Sequence, residues 1–322
     1  MVGVGKMGRR HARVFSELTS DFELVGVMDI SKDDASAVAR QVKSCLMANE
    51  AAAIDHGELV VLATPIDDHA AIGARILGAG RHLLVEKPIC ARPEEALALV
   101  AMAQCAGLEI FVGHSERYNP VIRALVARIA PDDVRSVDLC RVGPRAGTWS
   151  TDHGVILNLA IHDLDLMAHL TQSPVDVKSA IGRLAPTGGE DRALLVVDTA
   201  SGVAGRIYVD RVSAARCRTI EVKTDDCVFH GNLLRPRLTC TWPATGEVRE
   251  LPLEMVEPLA AQAADVARAL DGVPNLPVAR GIDGARALVL AERASRRIRE
   301  ALSGTRGAPG HDSFAGAGAE KL

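Results

Sequence analysis

The chain has 322 residues, 48% hydrophobic and 24% charged, with a formal net charge of -4, enough for two cored domains and too balanced in sign for a nucleic-acid footprint or a polybasic membrane patch. The longest apolar runs, such as 59–64, fall far short of the roughly 20 residues a membrane span needs, and the seven cysteines are scattered and never spaced C-x-x-C. A cytoplasmic protein without a disulfide framework or metal site is expected.

In chain order, Gly3-Val4-Gly5-Lys6-Met7-Gly8 comes first. In such a G-x-G-x-x-G loop the first glycine makes a tight turn and the second admits a pyrophosphate to the backbone. The third lets helix and strand pack closely, and the helix N-terminus then meets the phosphate charge. Only Met1 and Val2 precede Gly3, so the first strand reads as truncated, with a native start upstream expected. A helix is expected over 7–18 and a strand over 24–28, ending at Asp29, where a carboxylate would hold a ribose diol and repel a 2'-phosphate. NAD is therefore favoured over NADP, a preference that nearby Lys32 and Arg9 could soften.

Strands are expected over 59–63, 83–85 and 110–112, and helices over 68–77 and 94–105, the last opened by Pro93. This alternation is the pattern of a doubly wound parallel sheet. Thr64, Pro65 and His69 follow one strand end, where such sheets face a cofactor crevice. Glu86-Lys87-Pro88 follows the next. Lysine is scarce, seven against thirty arginines, and a crowded lysine amine is a side chain whose pKa moves usefully for proton transfer.

From about residue 134 the pattern changes to alternating segments at 137–142, 175–184, 194–199, 203–209, 219–222 and 238–242, a mostly antiparallel second sheet. A helix is expected over 155–170 and two more over 259–270 and 284–302. The fold class is α/β: a Rossmann domain over 1–118, an α+β domain with a large open sheet over 119–303, and a disordered tail over 304–322. On the 155–170 helix, Asn158 and His162 lie one turn apart and would project from one face.

The ordered set Gly3-x-Gly5-x-x-Gly8, Ala63-Thr64-Pro65, Glu86-Lys87-Pro88, Arg117-Tyr118-Asn119-Pro120 and Asn158-x-x-x-His162-x-x-Asp165 resembles the Gfo/Idh/MocA oxidoreductases. The resemblance implies an NAD-dependent dehydrogenase with Gly3, Gly5, Lys6, Met7, Gly8, Asp29, Thr64, Pro65, His69, Glu86, Lys87 and Pro88 around the cofactor. It implies a catalytic lysine at Lys87 and an acid/base histidine at His162, with Asn158 where the family carries an aspartate. Asn158 can hydrogen-bond a hydroxyl but cannot take its proton, so the base is His162 or Lys87; His162 is favoured because its ordinary pKa lies near neutrality, with Lys87 then stabilising the alkoxide and Glu86 holding the lysine chain. Asp165 is expected to brace the helix or its histidine.

Residues 112–120 and 154–165 resemble members acting on nucleotide-linked hexoses, of the UDP-N-acetylglucosamine or UDP-glucose 3-dehydrogenase type. The substrate would then be a sugar whose C3 hydroxyl becomes a ketone, a product suited to transamination in amino-sugar or antibiotic biosynthesis. Lys87, Arg117, Tyr118, Arg145, Asn158 and His162 would contact it, with Arg141 a further candidate for its diphosphate. Glu116, Asp152 and Asp163 leave open a cationic aminoglycoside or aminocyclitol, and inositol shares the chemistry. An alternative of another class is a non-catalytic NAD- or sugar-binding module. A homodimer or homotetramer through the C-terminal sheet is expected, with no nucleic-acid or membrane partner.

Overall fold

The computed structural model describes residues 1–144 and 153–304. The first unit runs α1 (Lys6–Glu17), β1 (Gly26–Val27), α2 (Lys32–Val42), β2 (Cys45–Leu46), α3 (Glu50–Asp55), β3 (Leu59–Leu62), α4 (Ile66–Gly78), β4 (His82–Val85), α5 (Pro93–Ala106) and β5 (Ile110–Val112). All strand pairs are parallel, β1 with β2 and β3-β4-β5 in series. Val2 joins the two sets by bridging Met28 on one side and Leu62 on the other, so residues 1–3 take the central position. Strand order reverses across Val2, which opens a crevice at the carboxyl ends of the strands. Local signals set several boundaries: Ser31 caps α2 by accepting from the Asp34 amide, and α5 has Pro93 in its first turn and Gly107 at φ 65° as its C-cap.

A 3-10 turn over Ser115–Tyr118 leads to α6 (Pro120–Val126), whose first turn is capped by the Asn119 side chain. Then come β6 (Ser136–Pro144), a π-helical turn over Ile156–Ala160 and α7 (Ile161–Thr171). The strands β7 (Val175–Leu184), β8 (Glu190–Thr199), β9 (Ala204–Asp210), β10 (Val212–Lys223), β11 (Val228–Asn232), β12 (Arg237–Trp242) and β13 (Glu247–Leu251) follow. They form one eight-stranded sheet, β13-β12-β11-β10-β6-β9-β8-β7, antiparallel except between β6 and β9. Alternation along its strands buries Val137, Leu139, Leu195, Val197, Ile207, Val209, Ile220 and Val222 in one core with Leu164 and Met167 of α7.

Helices α8 (Pro258–Leu270) and α9 (Gly281–Gly304) tie the units together. Leu259, Ala263 and Val266 of α8 join the core that contains Val4 and Phe15, and the Gln262 side chain donates to the Val112 carbonyl at 3.0 Å. Along α9, Ala285 and Leu288 pack with the parallel strands while Leu290, Ala294 and Ile298 pack with the large sheet. The crevice is thereby held between two packed bodies. Among the described residues no helix is long and apolar enough to cross a membrane.

Candidate active site

The glycine loop fits a dinucleotide. Gly3 has φ +90°, and a Cβ there would lie 2.7 Å from the Ala63 backbone, whereas a Cβ on Gly8 would lie 2.0 Å from the Gly3 carbonyl oxygen. Gly5 faces open space, with nothing within 4 Å of its Cβ position, where a pyrophosphate can approach the N-terminus of α1. Asp29 accepts from the Val4 amide at 2.7 Å and the Ser31 amide at 2.9 Å, which fixes its carboxylate beside the loop. Thr64 adds a buried hydroxyl without a hydrogen-bond partner among the described residues. Arg9 pairs with Asp34, so it does not sit free to receive a 2'-phosphate.

Lys87 lies two residues beyond the end of β4, at a cis Lys87–Pro88 bond, half-buried, and its Nζ donates to the main-chain carbonyl of Asn158 at 3.0 Å. Burial brings its pKa down to about 8; Glu86 and Glu116 oppose the fall, Arg141 and Arg218 add to it. Asn158 and His162 were expected one regular turn apart, yet a π-turn over Ile156–Ala160 separates Asn158 from the regular turns of α7. Wide turns of this kind occur at functional sites because they displace carbonyls from the i→i+4 ladder. The Asn158 amide turns back to donate to Gly154 at 2.8 Å, so the main-chain carbonyl of this residue holds the lysine. His162 has its Nδ1 buried without a hydrogen-bond partner among the described residues. Its pKa lies well below the ordinary value, first through burial and then through Lys87, Arg141, His114 and Arg218, so at neutral pH the ring is neutral.

Beside Asn158 opens a cleft of about 230 Å³ whose wall includes Lys6, Arg141, Arg211, Arg216 and Arg218. Arg141 on β6 and Arg218 on β10 are direct cross-strand partners. Like charges so placed repel. Glu116 relieves this, its Oε1 accepting from both at 3.0 Å, while Asp163 accepts from Arg141 at 2.8 Å from behind. Burial alone would raise the Glu116 pKa, but Arg141 and Arg218 outweigh it and hold the carboxyl below its usual range. Arg216 is exposed, and no ion pair engages it among the described residues.

Several expected site residues sit elsewhere. Arg117 is buried and gives Asp165 a two-pronged bond at 2.6 and 2.8 Å, with Asp283 at 3.5 Å, so it anchors α7 rather than meeting substrate. Tyr118 is fully buried, and burial raises its phenol pKa. His69 is buried with its two ring nitrogens on the Pro88 and Thr64 carbonyls at 2.9 and 3.0 Å, bracing two crevice loops. Glu86 does not hold the lysine chain: its carboxylate accepts from His11 Nε2 at 2.8 Å and from the Lys87 main-chain amide at 3.2 Å. Lys6 lines the arginine cleft, and Met7 packs against the core of α1. Glu116 and Asp163, read as acids for a cationic ligand, are already committed to arginines. Arg145 and Asp152 lie outside the described residues.

Two family models match the chain: the NAD-binding Rossmann fold of an oxidoreductase family over residues 1–114 and the GFO/IDH/MocA C-terminal domain over 122–230. The chain is similar to UDP-N-acetylglucosamine 3-dehydrogenase of Acidithiobacillus ferrooxidans, 31% identical over 78% of this chain and 79% of that one. The crystal structure of that enzyme, GnnA, superposes with a TM-score of 0.86 at 28% identity, covering 94% of this chain and 97% of that one. Inositol 2-dehydrogenase of Rhizobium meliloti is 27% identical over 63% of this chain and 65% of its own. With its glycine loop, Glu86-Lys87-Pro88 and the His162 helix around one crevice, this chain belongs to the Gfo/Idh/MocA oxidoreductases and is an NAD-dependent enzyme of that family.

Proposed function

We propose that the enzyme oxidises the C3 hydroxyl of a hexose carried on a nucleoside diphosphate, giving a 3-keto sugar fit for later transamination. The observation that carries this reading is the cleft wall of Lys6, Arg141, Arg211, Arg216 and Arg218 next to Asn158, whose carbonyl holds Lys87. A diphosphate supplies the negative charge such a wall attracts, and guanidinium forks match phosphate oxygens in pairs. The similarity to a UDP-N-acetylglucosamine 3-dehydrogenase over most of both chains supports the same substrate class.

Gly3, Gly5, Gly8, Asp29 and Thr64 would hold NAD, which when bound supplies the hydride acceptor. His162, neutral and desolvated, accepts the hydroxyl proton. Lys87, mostly protonated at neutral pH with a pKa of about 8, donates to the same oxygen and stabilises the developing alkoxide. The diphosphate offsets Arg141 and Arg218, two of the cations that oppose a positive charge on His162. Substrate binding thus favours its own proton acceptor.

A cationic aminoglycoside or a neutral inositol finds less to bind, because Glu116 and Asp163 are neutralised by Arg141 and Arg218. The test is NADH formation with UDP-N-acetylglucosamine, UDP-glucose, myo-inositol and an aminoglycoside. Turnover of the UDP-sugars in clear excess over the others is expected; preference for the aminoglycoside or inositol overturns the reading.

A further inference from the structure

His114 follows β5 and has no role in the chemistry so far. It is 1% exposed, and among the described residues neither ring nitrogen has a hydrogen-bond partner. Its ring meets that of His162 edge-on, centroids 6.0 Å apart at 88°, an arrangement in which the positive edge of one ring faces the π cloud of the other. On its far side Nδ1 faces the Asp165 carboxylate at 3.8 Å, and Asp165 is fixed in turn by Arg117. A chain of contacts therefore runs from Arg117 through Asp165 and His114 to His162.

Each link limits the next. A carboxylate 3.8 Å from Nδ1 favours the tautomer of His114 that carries its proton there, and the dipole of a ring so fixed acts on the His162 imidazole packed against it. His162 can use Nε2 as a base only if Nδ1 carries the ring proton, and that nitrogen is buried. The charges around the pair are Lys87, Arg141 and Arg218 facing His162, and Asp165, Arg117, Lys87 and Glu86 facing His114. Most are cations, so neither ring gains by charging before substrate arrives. Burial also lowers the His114 pKa, which keeps that ring neutral.

We propose that His114 is a positioning residue for His162, holding the ring's orientation and its Nδ1–H tautomer so that Nε2 faces the substrate. This rests on the reading of His162 as the base, but it can be tested apart from turnover. The measurement is long-range proton–nitrogen NMR of ring-labelled histidine in the full chain, wild type against His114→Phe and His114→Asn. The phenylalanine keeps an aromatic edge without nitrogens; the asparagine keeps polarity without a ring and stands in if the first fails to fold.

A single Nδ1–H tautomer for His162 in the wild type and a mixed or Nε2–H population in either variant is expected. Unchanged tautomer and titration in the folded variants would overturn the proposal, as would an Nε2–H ring in the wild type. With a UDP-sugar, kcat should fall at least tenfold while KM stays within about threefold, a split that lost packing alone does not produce. Tautomer coupling in a wild-type enzyme that turns over no UDP-sugar would count against the substrate reading and leave the pairing standing.

Discussion

Arg141 and Arg218 stand opposite each other on β6 and β10, and one oxygen of Glu116 accepts from both at 3.0 Å. One carboxylate thus holds two repelling guanidiniums in register, and with Asp163 it balances their charge, so the surplus positive charge of the cleft lies on other cations of its wall such as Lys6 and Arg216. Replacing Glu116 by Gln should weaken folding by roughly 1–3 kcal/mol, since charged partners lose a buried acceptor. The Glu116 pKa is lowered in the fold, so its contribution is present above the unfolded value and is lost as pH falls through the folded one. Urea unfolding of E116Q and wild type should differ at neutral pH and converge in acid.

Arg216 is exposed and unpaired among the described residues, so it can be removed without leaving a buried charge behind. Arg216→Ala should leave the melting temperature nearly unchanged and raise KM for a UDP-sugar by about tenfold, some 1.4 kcal/mol. The KM increase should shrink as salt is raised, because screening weakens the wild-type contact as well. Steady-state kinetics at two ionic strengths checks it.

Lys87 has a pKa of about 8 because its ammonium is desolvated. A group needed in its protonated form gives activity that is full below that pH and lost above it, so kcat should decline on the alkaline side from about 8. Lys87→Arg should retain some activity and move the decline upward, since a guanidinium does not titrate there. Lys87→Ala should lower kcat by at least a hundredfold with NADH binding intact. Activity profiles and NADH fluorescence titrations separate the two effects.

Arg117 tests the reassignment from substrate contact to anchor. Its partner Asp165 is buried; burial alone would raise that carboxyl, but the charge and hydrogen bonds of Arg117 outweigh it and its pKa is lowered. Arg117→Met should destabilise the fold by roughly 3–5 kcal/mol by leaving a buried carboxylate unpaired. The loss should be greatest above the unfolded carboxylate range and smaller in acid, where Asp165 protonates. Adding Asp165→Asn should restore part of it, and a double-mutant cycle by urea unfolding measures how much.

Ile181, Leu194, Tyr208 and Cys140 align in register across β7, β8, β9 and β6 on the sheet face away from α7. Ile181 is 56% exposed and Val196 39%. A second copy packing on this row would cover them, and Ile181→Arg with Val196→Arg should then yield a smaller species by light scattering. An unchanged mass would place any association elsewhere.

Much of the fold was legible because local chemistry marks it. Pro93 and Gly107 bracket α5, and the run Leu59–Leu62 reads directly as a strand buried on both faces. By contrast β13, Glu-Val-Arg-Glu-Leu, is a largely exposed edge strand with little apolar alternation, and α2 is too polar to announce itself except through Ser31 and its acidic first turn. At the site, the glycine loop, Lys87 and His162 could be read because their spacing is local.

Arg211, Arg216 and Arg218 could not, since only the pairing of β10 with β6 brings them beside Asn158. Their one signal was the Arg-x-Arg alternation at 216 and 218, which puts two cations on one face of a strand. Arg117 was misread because a guanidinium serves a buried aspartate as readily as a phosphate. The π-turn at Ile156–Ala160 left no mark in the apolar pattern.

The most direct measurement compares kcat/KM for UDP-N-acetylglucosamine with that for free N-acetylglucosamine, followed as NADH formation by wild type and by Arg218→Ala. Each charged hydrogen bond to the diphosphate is worth about 1.5–3 kcal/mol, so removing the nucleotide should cost the wild type at least a thousandfold. The variant should lose activity on the UDP-sugar far more than on the free sugar. Equal kcat/KM for the two substrates, or equal effects of the variant on both, would contradict a diphosphate in the arginine cleft.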